Sequence, residues 1–170
     1  MLEIKPGRLK HDMGFSLPLN IQAACDPLTY GYADIAFGAP LSFCGKAENV
    51  AGEIHINGWL AAHLLLACSR CGVPFSFMLS LPFAEIYISG EASQDLDGEQ
   101  DKRHFTGDSI DITPEALRLL FAELPMKPMC REDCCGLCPQ CGADLNGEGC
   151  SCAQNDIDPR WEKLRGLLGE

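Results

Sequence analysis

The spacing of the cysteines constrains this chain more than any other feature of its sequence. Eleven of the 170 residues are cysteine, and nine of them fall into two groups. One group is Cys68-Ser-Arg-Cys71, and the other extends from Cys130 to Cys152. A Cys-x2-Cys pair suits a tetrahedral metal site, because its tight turn brings two thiolates to about 2.3 Å from a common centre. The spacing therefore favours zinc binding.

The expected compartment favours metal ligands over disulfide bonds. The first ten residues, MLEIKPGRLK, lack the apolar run of a secretory signal. The most apolar stretch, Trp59 to Cys68, contains His63 and falls short of the roughly 20 apolar residues that a membrane helix needs. We therefore expect a cytoplasmic protein without a membrane segment. In a reducing compartment, clustered cysteines are more often metal ligands or redox-active thiols than structural disulfides.

The C-terminal cysteines predict one complete zinc site. Four thiolates within 15 residues close a structural site without further ligands. This set consists of Cys138, Cys141, Cys150 and Cys152. By elimination, a second site takes Cys68, Cys71, Cys130 and Cys134. Cys135 stays ambiguous, since it either replaces Cys134 or is a free thiol. The expected cofactor is Zn²⁺, as one ion or two.

The remaining candidate residues give no support to an enzyme. A catalytic zinc keeps an open coordination position, whereas a four-cysteine site is closed. His55 and His63 fall on the polar side of a strand pattern, so we expect exposed side chains rather than ligands. Cys25 and Cys44 stand alone and are expected to be small buried hydrophobes. Because the sequence also contains no phosphate-binding loop or nucleophile elbow, we predict neither catalytic residues nor an organic cofactor.

Hydrophobic patterning predicts an α+β fold built on an antiparallel β meander or partly closed sheet. Apolar and polar residues alternate from Ile54 to Cys68, as in a half-buried strand. Within this run, Asn57-Gly58 is either a hairpin turn or a bulge or bend in one long strand. Further strand signals cover Val73 to Leu79 and Phe83 to Ile88.

One helix is predicted to pack on this sheet, over residues 113–124. Thr113 is placed as its N-cap and Pro114 at the first helical position, and Pro125 ends it. The apolar stripe toward the sheet consists of Leu117, Leu120, Phe121 and Leu124. A second start at Asp158-Pro159 predicts a short terminal helix, whose apolar stripe consists of Trp161, Leu164 and Leu168.

These elements predict two parts of the chain. Residues 1–125 form a mainly β domain that contains the helix and an acidic loop over residues 89–108. The loop is expected to be mobile, because six acidic residues with few apolar ones cannot offset the entropy of ordering. Residues 126–170 form a cysteine-rich zinc knuckle followed by the terminal helix, and this segment packs on the first part.

The charge balance argues against a nucleic-acid binder. Thirteen basic residues against 24 acidic ones give a net charge of −11. Non-specific affinity for nucleic acids comes from basic side chains that displace counterions. Residues 111–170 repeat the imbalance, with six basic and eleven acidic side chains, and zinc-bound thiolates add further negative charge.

Several motifs in series resemble the YceD family of large ribosomal RNA subunit accumulation proteins. They are Cys68-Ser-Arg-Cys71, Leu124-Pro-Met-Lys-Pro-Met-Cys130, Cys134-Cys-Gly-Leu-Cys138-Pro-Gln-Cys141-Gly-Ala-Asp-Leu-Asn146 and Cys150-Ser-Cys152. The resemblance extends from about Trp59 to Leu168 and is loose before it. Cys135 departs from the family, in which a polar or basic residue is expected. The resemblance implies a non-enzymatic role in the maturation or accumulation of large-subunit ribosomal RNA.

This implied role and the negative charge together favour a protein partner. An acidic factor complements a basic ribosomal protein or a pre-ribosomal large-subunit particle, whose association it would steer. Two alternatives stay open. A redox-switch chaperone would release zinc on oxidation. A direct RNA-binding module would use a basic patch such as Lys127 and Arg131 near Arg70 and Arg160. No membrane or small-molecule partner is expected.

Overall fold

The computed structural model describes residues 1–30, 33–90, 102–147 and 149–152. Nine β-strands and one α-helix lie in this part of the chain. The strands are β1 (Glu3–Ile4), β2 (Ser16–Ala23), β3 (Leu28–Tyr30), β4 (Ala33–Phe37), β5 (Leu41–Val50), β6 (Glu53–Ala67), β7 (Pro74–Ser89), β8 (Lys102–Phe105) and β9 (Ile110–Asp111). The helix is α1 (Thr113–Glu123), and a 3-10 turn covers Gly7–Lys10. The predicted terminal helix lies outside the described residues.

The centre of the fold is the predicted antiparallel meander of β5, β6 and β7. β5 and β6 pair along nine positions, and Ala51 and Gly52 connect them with φ angles of 53° and 92°. Two successive positive φ angles are typical of the tight turns that match the twist of a hairpin. β6 and β7 then pair without interruption along fourteen positions. The sequence is therefore right about the meander.

β6 passes through Asn57-Gly58 as one long strand, so the hairpin interpretation of these residues is wrong. Asn57 pairs with Lys46 and Gly58 with Gly45, and the same register continues on both sides without a bulge. β7 is likewise one strand of sixteen residues, where the sequence indicated two. Pro82 separates the two signals. A strand tolerates it there because β8 pairs with the outer edge of β7 only from Ile86 onward.

No sheet is closed in the described part of the chain, so the prediction of a partly closed sheet is not supported. β2, β5, β6 and β7 pair in this order, all antiparallel, and β8 extends the sheet beside β7 in parallel. β4 pairs with the end of β6 that β5 leaves uncovered, and β3 pairs with β4. Closure requires the edge strands to pair with each other. Among the described residues, no pairing joins β8 to β2 or β3.

The acidic loop is shorter than the sequence predicts, because Lys102–Phe105 forms β8. Phe105 is buried in the core. The Lys102 ammonium donates a hydrogen bond of 2.7 Å to Glu53, and the Arg103 guanidinium lies 3.5 Å from Glu85. These partners stand on strands far away in the sequence, so local composition gives no sign of them. Residues 91–101 of the predicted loop lie outside the described part of the chain.

The main apolar core lies on the inner face of the sheet. In β6, the even-numbered residues from Ile54 to Leu66 are buried, except for the half-buried Gly58. The small sheet of β1 and β9 adds Ile4 and Ile110 to the same core. This alternation of buried and exposed residues is the one that the sequence pattern predicts.

α1 covers this core with the predicted apolar stripe. Leu120 and Leu124 are buried, and the other two members of the stripe pack against the core in a half-buried position. Thr113 is not the N-cap, because the helix already begins at this residue. Its hydroxyl instead accepts a hydrogen bond of 2.7 Å from the Leu2 amide, which joins the helix start to the N-terminal segment. No helix in the described residues is long and apolar enough to cross a membrane.

The outer face of the sheet carries the odd-numbered residues of β6. Trp59 is 59% exposed on this face, and Cys44 of β5 lies opposite it in the register. Cys44 is exposed and Cys25 is half-buried, so the expectation of buried cysteines is wrong for both. For Cys44 the reason is the alternation of β5, which places its even-numbered residues on the outer face.

Gly45 and Gly58 face each other across β5 and β6, close to the ring of Phe43. A methyl group on Gly58 would lie 2.6 Å from Cα of Gly45 and 2.9 Å from Cζ of Phe43. Because backbone atoms cannot move aside as a flexible side chain can, we expect Gly58→Ala to lower the free energy of unfolding by about 1–3 kcal/mol. Urea denaturation followed by circular dichroism measures the loss. Gly147→Ala is the control, since its methyl group meets only the Asp144 carbonyl oxygen, at 4.0 Å. Equal free energies of unfolding for the two variants would contradict the close approach of Gly58 to Gly45.

Candidate metal centre

The first cysteine cluster joins the sheet to the segment after α1, and we call it the bridging site. Its members are Cys68, Cys71, Cys130 and Cys134. The first two lie in the turn between β6 and β7, and the other two follow the end of the helix. Three of the four are buried, and Cys130 is half-buried. The turn of a long hairpin therefore holds one half of the site.

The second cluster, which we call the terminal site, is formed by residues close together in the sequence. Its members are Cys138, Cys141, Cys150 and Cys152. Only Cys138 is buried, so this site lies nearer to solvent than the bridging site. The structure thus brings together the same two sets of four cysteines that the sequence analysis assigned. Their role as metal ligands stays a prediction.

The sulfur atoms have the spacing of tetrahedral metal sites. In the bridging site, the Sγ atoms of Cys68 and Cys134 lie 3.8 Å apart, as do those of Cys71 and Cys130. In each site all four sulfurs lie within 4.8 Å of one another. A tetrahedron with metal–sulfur bonds of about 2.3 Å has edges of about 3.8 Å, whereas a disulfide bond is about 2.05 Å long. The geometry fits one four-coordinate ion in each site.

Both sites are built on the same local turn, a Cys-x2-Cys-Gly knuckle. Gly72 and Gly142 both have φ of 73°, a left-handed conformation that glycine adopts without steric cost. Each glycine amide donates a 2.9 Å hydrogen bond to the carbonyl oxygen of the first cysteine of its knuckle. The amides of Cys68 and Cys138 in turn donate to the carbonyls of Val73 and Ala143, over 3.0 Å and 2.8 Å. The repeated sequence pattern therefore produces a repeated backbone geometry.

Backbone amides stabilise one thiolate in each site. Hydrogen bonds from the amides of Cys130 and Cys71 lower the pKa of Cys68 to about 6. In the terminal site, hydrogen bonds from the amides of Cys141 and Gln140 lower the pKa of Cys138 to about 6. Burial raises the pKa of Cys130 to about 12. The thiols of the bridging site therefore differ widely in pKa, from about 6 at Cys68 to about 12 at Cys130.

Metal binding is expected to release fewer than four protons per ion at neutral pH. Four thiolates would bind each ion, but we expect Cys68 and Cys138 to be ionised already at that pH, because their pKa values are lowered to about 6. Below about pH 6 both cysteines become protonated, so the metal affinity should fall more steeply with decreasing pH than it does above pH 6. Calorimetry in buffers of different ionisation enthalpy counts the protons. A release of four per ion at neutral pH would contradict the assignment of the two thiolates.

The structure separates Cys134 from its neighbour Cys135. Sγ of Cys134 lies among the sulfurs of the bridging site, whereas Cys135 is exposed and its Sγ lies 3.6 Å from the carbonyl oxygen of Asp133. Of the two residues that the sequence left open, only Cys134 is in position to be the fourth ligand.

Two polar side chains that the sequence analysis did not connect with the metal sites also contact Cys134. Arg70 donates from Nη1 to the Cys134 carbonyl oxygen over 2.7 Å, and Asn146 donates from Nδ2 to its Sγ over 3.5 Å. Arg70 stands inside the first knuckle and Asn146 inside the segment that carries the family resemblance. The contact of Arg70 spans 64 residues of the chain and that of Asn146 spans 12. The only sign of either in the sequence is that both residues lie near cysteines.

The histidines on the outer face do not join either cysteine site. In the described residues, the groups of side chains that could hold a metal contain only cysteines. His55 and His63 are half-buried rather than exposed. The reason is local contact, since His55 lies 3.6 Å from Glu53 and His63 forms a 3.0 Å hydrogen bond with Ser76. Four sulfurs per site fill a tetrahedron and leave no position for water or substrate.

The chain is similar to several bacterial and plant proteins. It is 33% identical over 133 residues to an uncharacterized protein of Mycobacterium tuberculosis, and the match covers 78% of this chain and 64% of that protein. It is 29% identical over 143 residues to the uncharacterized protein YlbN of Bacillus subtilis, and the match covers 83% of this chain and 81% of YlbN. It is 25% identical over 167 residues to the Large ribosomal RNA subunit accumulation protein YCED homolog 1, chloroplastic, of Arabidopsis thaliana. That match covers 82% of this chain and 52% of the plant protein.

These matches cover only part of each relative. The chain spans less than two thirds of the length of the mycobacterial and Arabidopsis relatives. No solved structure matches it. The family model described as Large ribosomal RNA subunit accumulation protein YceD matches residues 56–168, which include both cysteine sites. The chain therefore belongs to the YceD family.

Proposed function

We propose that this protein is a non-enzymatic, zinc-stabilised factor for the accumulation of large-subunit ribosomal RNA, acting in the cytoplasm by binding a basic ribosomal component. The observation that carries this proposal is the grouping of eight cysteines into two closed sets of four, in a chain of the YceD family. The plant relatives are named for the same process.

Zinc is the ion that we propose for both sites. An all-sulfur tetrahedral donor set suits zinc or iron, and four-cysteine sites built on Cys-x2-Cys turns are typical of structural zinc. Bound in the bridging site, the ion would link distant parts of the chain, and in neither site would it offer an open position for chemistry. The cysteines themselves would hold residues 126–152 against the end of the β6–β7 hairpin.

Residues 126–152 contain very little apolar core. Among those that the structure describes, only Cys134, Gly136 and Cys138 are buried. The main core ends at Leu124, and the three buried cysteines of the bridging site form a separate small cluster. A segment that buries so little apolar surface cannot offset its conformational entropy by packing. We therefore propose that the bound metal stabilises its fold.

The charge distribution supports a basic protein as the partner. Of the ten Lys and Arg side chains in the described residues, seven form ion pairs with carboxylates. Few cations are therefore left to neutralise phosphates, while the whole chain carries a net charge of −11. Such a balance steers association with a positively charged protein and opposes direct binding of RNA.

Affinity capture from a reduced cell extract tests the proposal. The native protein should recover a basic protein of the large subunit, and ribonuclease treatment should leave this recovery unchanged. The variant Cys138→Ser, Cys141→Ser should lose it, because the terminal site no longer forms. The variant Cys25→Ser, Cys44→Ser is the matched control, since it removes two cysteines outside both sites.

Three outcomes would overturn the proposal. Recovery of neither ribosomal proteins nor precursor large-subunit RNA would contradict a role in this process. Recovery that depends on intact RNA, with a steep salt dependence of RNA affinity, would favour the direct RNA-binding module. Release of zinc by mild peroxide together with a gain of holdase activity would favour the redox-switch chaperone.

A further inference from the structure

We propose that Asn146 is a positioning residue that couples the two cysteine sites, so that an ion in the terminal site strengthens binding in the bridging site. This inference rests on the metal binding proposed above. It adds that the two ions bind cooperatively, and it names the side chain that transmits the effect.

The backbone of Asn146 lies between cysteines of the terminal site. It lies in the loop between Cys141 and Cys150, whose two ends are both members of that site. An ion in the terminal site would close this loop and fix the backbone at Asn146. Without the ion, the loop would be held only by its hydrogen bonds to residues 131–138.

The side chain of Asn146 nevertheless reaches the bridging site. Its Nδ2 donates to Sγ of Cys134 over 3.5 Å. Its Oδ1 accepts a hydrogen bond of 2.8 Å from the backbone amide of Cys135, the residue after that ligand. The amide therefore contacts both the sulfur of Cys134 and the backbone that follows it.

The amide group is fully satisfied, which shows that its orientation is well defined. A carboxamide has two N–H donors and two acceptor positions on its oxygen. The second donor contacts Oδ1 of Asp144 over 2.6 Å, and the second acceptor position takes a 2.9 Å bond from Nη2 of Arg131. The backbone amide of Asn146 also donates to Asp144 Oδ1, over 2.9 Å.

The loop that carries Asn146 is attached to the segment between the two sites. Leu137 and Asp144 form a β-bridge, and the Leu145 amide donates to the Gly136 carbonyl oxygen over 2.9 Å. Cys134 is 1% exposed, so its sulfur cannot take a hydrogen bond from bulk water in place of Asn146. Partners that orient a metal ligand in this way raise metal affinity by about 10–100-fold.

Coupling of this kind is reciprocal. If an ion in the terminal site raises the affinity of the bridging site by some factor, an ion in the bridging site raises the affinity of the terminal site by the same factor. Asn146→Ala should therefore weaken both sites toward their uncoupled affinities and should remove the dependence of one site on the other.

A competition experiment with the cadmium-loaded protein tests the inference. Cadmium NMR gives a separate resonance for each site, and titration with a chelator gives the affinity of each. We expect Asn146→Ala and the isosteric Asn146→Asp to shift the bridging-site resonance and to weaken that site by about 10–100-fold. Asn57→Ala is the matched control, because this exposed asparagine lies on the outer face of β6.

A variant without the terminal site completes the test. Cys150→Ser, Cys152→Ser should weaken the bridging site by a similar factor, and adding Asn146→Ala to it should cause little further loss. If Asn146→Asp leaves the bridging-site resonance and affinity unchanged, or if the bridging site binds equally tightly without the terminal site, the coupling is overturned while metal binding stands. If the native protein binds no ion at all, the proposed metal binding fails instead.

Discussion

Removal of the metal by a strong chelator is expected to unfold residues 126–152 and to leave the β-sheet folded. Structural zinc sites contribute about 10–16 kcal/mol of apparent binding free energy, which equals or exceeds the whole net stability of a typical domain, about 5–15 kcal/mol. The described residues of the cysteine-rich segment form no large apolar core that could compensate, whereas the sheet and α1 share one. The loss should therefore be local to the segment and to the turn that holds Cys68 and Cys71.

Hydrogen exchange measured by mass spectrometry locates this loss. Peptides from residues 126–152 should lose protection after chelation, and peptides from β5 and β6 should keep it. The variant Cys25→Ser, Cys44→Ser should respond as the native protein does, because neither cysteine belongs to a site. Unchanged protection of the segment, with metal removal verified on the same sample, would show that packing alone holds it.

Replacing Phe43 by alanine is expected to cost about 3–5 kcal/mol of folding stability. The ring is fully buried, and it meets the ring of Phe83 edge to face with centroids 5.4 Å apart. It also lies close to the paired glycines of β5 and β6. Its removal would leave a cavity at the centre of the sheet, and rigid neighbouring backbone cannot collapse into that space.

Trp59→Ala is the matched control for Phe43→Ala. Both side chains are large aromatics on the β5–β6 pair, but Trp59 stands on the outer face and is 59% exposed. A cross-strand pair on such a face contributes about 1 kcal/mol or less. Urea denaturation of the two variants measures the difference. Equal losses would contradict the assignment of inner and outer faces of the sheet.

Features fixed by local spacing could be predicted from the sequence. The alternation along β6 identified the buried face, and the stripe that ends at Leu124 identified the helix. The two Cys-x2-Cys-Gly motifs indicated their knuckles, because a tight turn with a left-handed glycine needs only neighbouring residues. The family resemblance was also visible in the cysteine motifs, and the family model confirms it over residues 56–168.

Features that depend on distant partners could not be predicted. β8 lies where the local composition predicts a loop, because the strand is stabilised by parallel pairing with β7 and by the contact of Lys102 with Glu53. Cys44 was expected in the core, since a single cysteine does not reveal which side of a strand it occupies. The contact between Asn146 and Cys134 spans only 12 residues of the chain, but the types and spacing of the two residues do not indicate it.

The division of the chain at residue 125 stays a prediction. The apolar core ends close to this point, at Leu124. The bridging site, however, takes two cysteines from each side of the division. If both sites bind metal, the two parts cannot separate without loss of an ion, and the cysteine-rich segment is a firmly attached extension of the sheet.

We expect each of the two four-cysteine sets to hold one metal ion. Native mass spectrometry of freshly reduced protein, with X-ray absorption at the metal edge, measures this. We predict two ions per chain, each bound by four sulfur atoms at about 2.3 Å. A fully folded chain that carries no metal, or one whose clustered cysteines are joined by disulfide bonds, would contradict the claim.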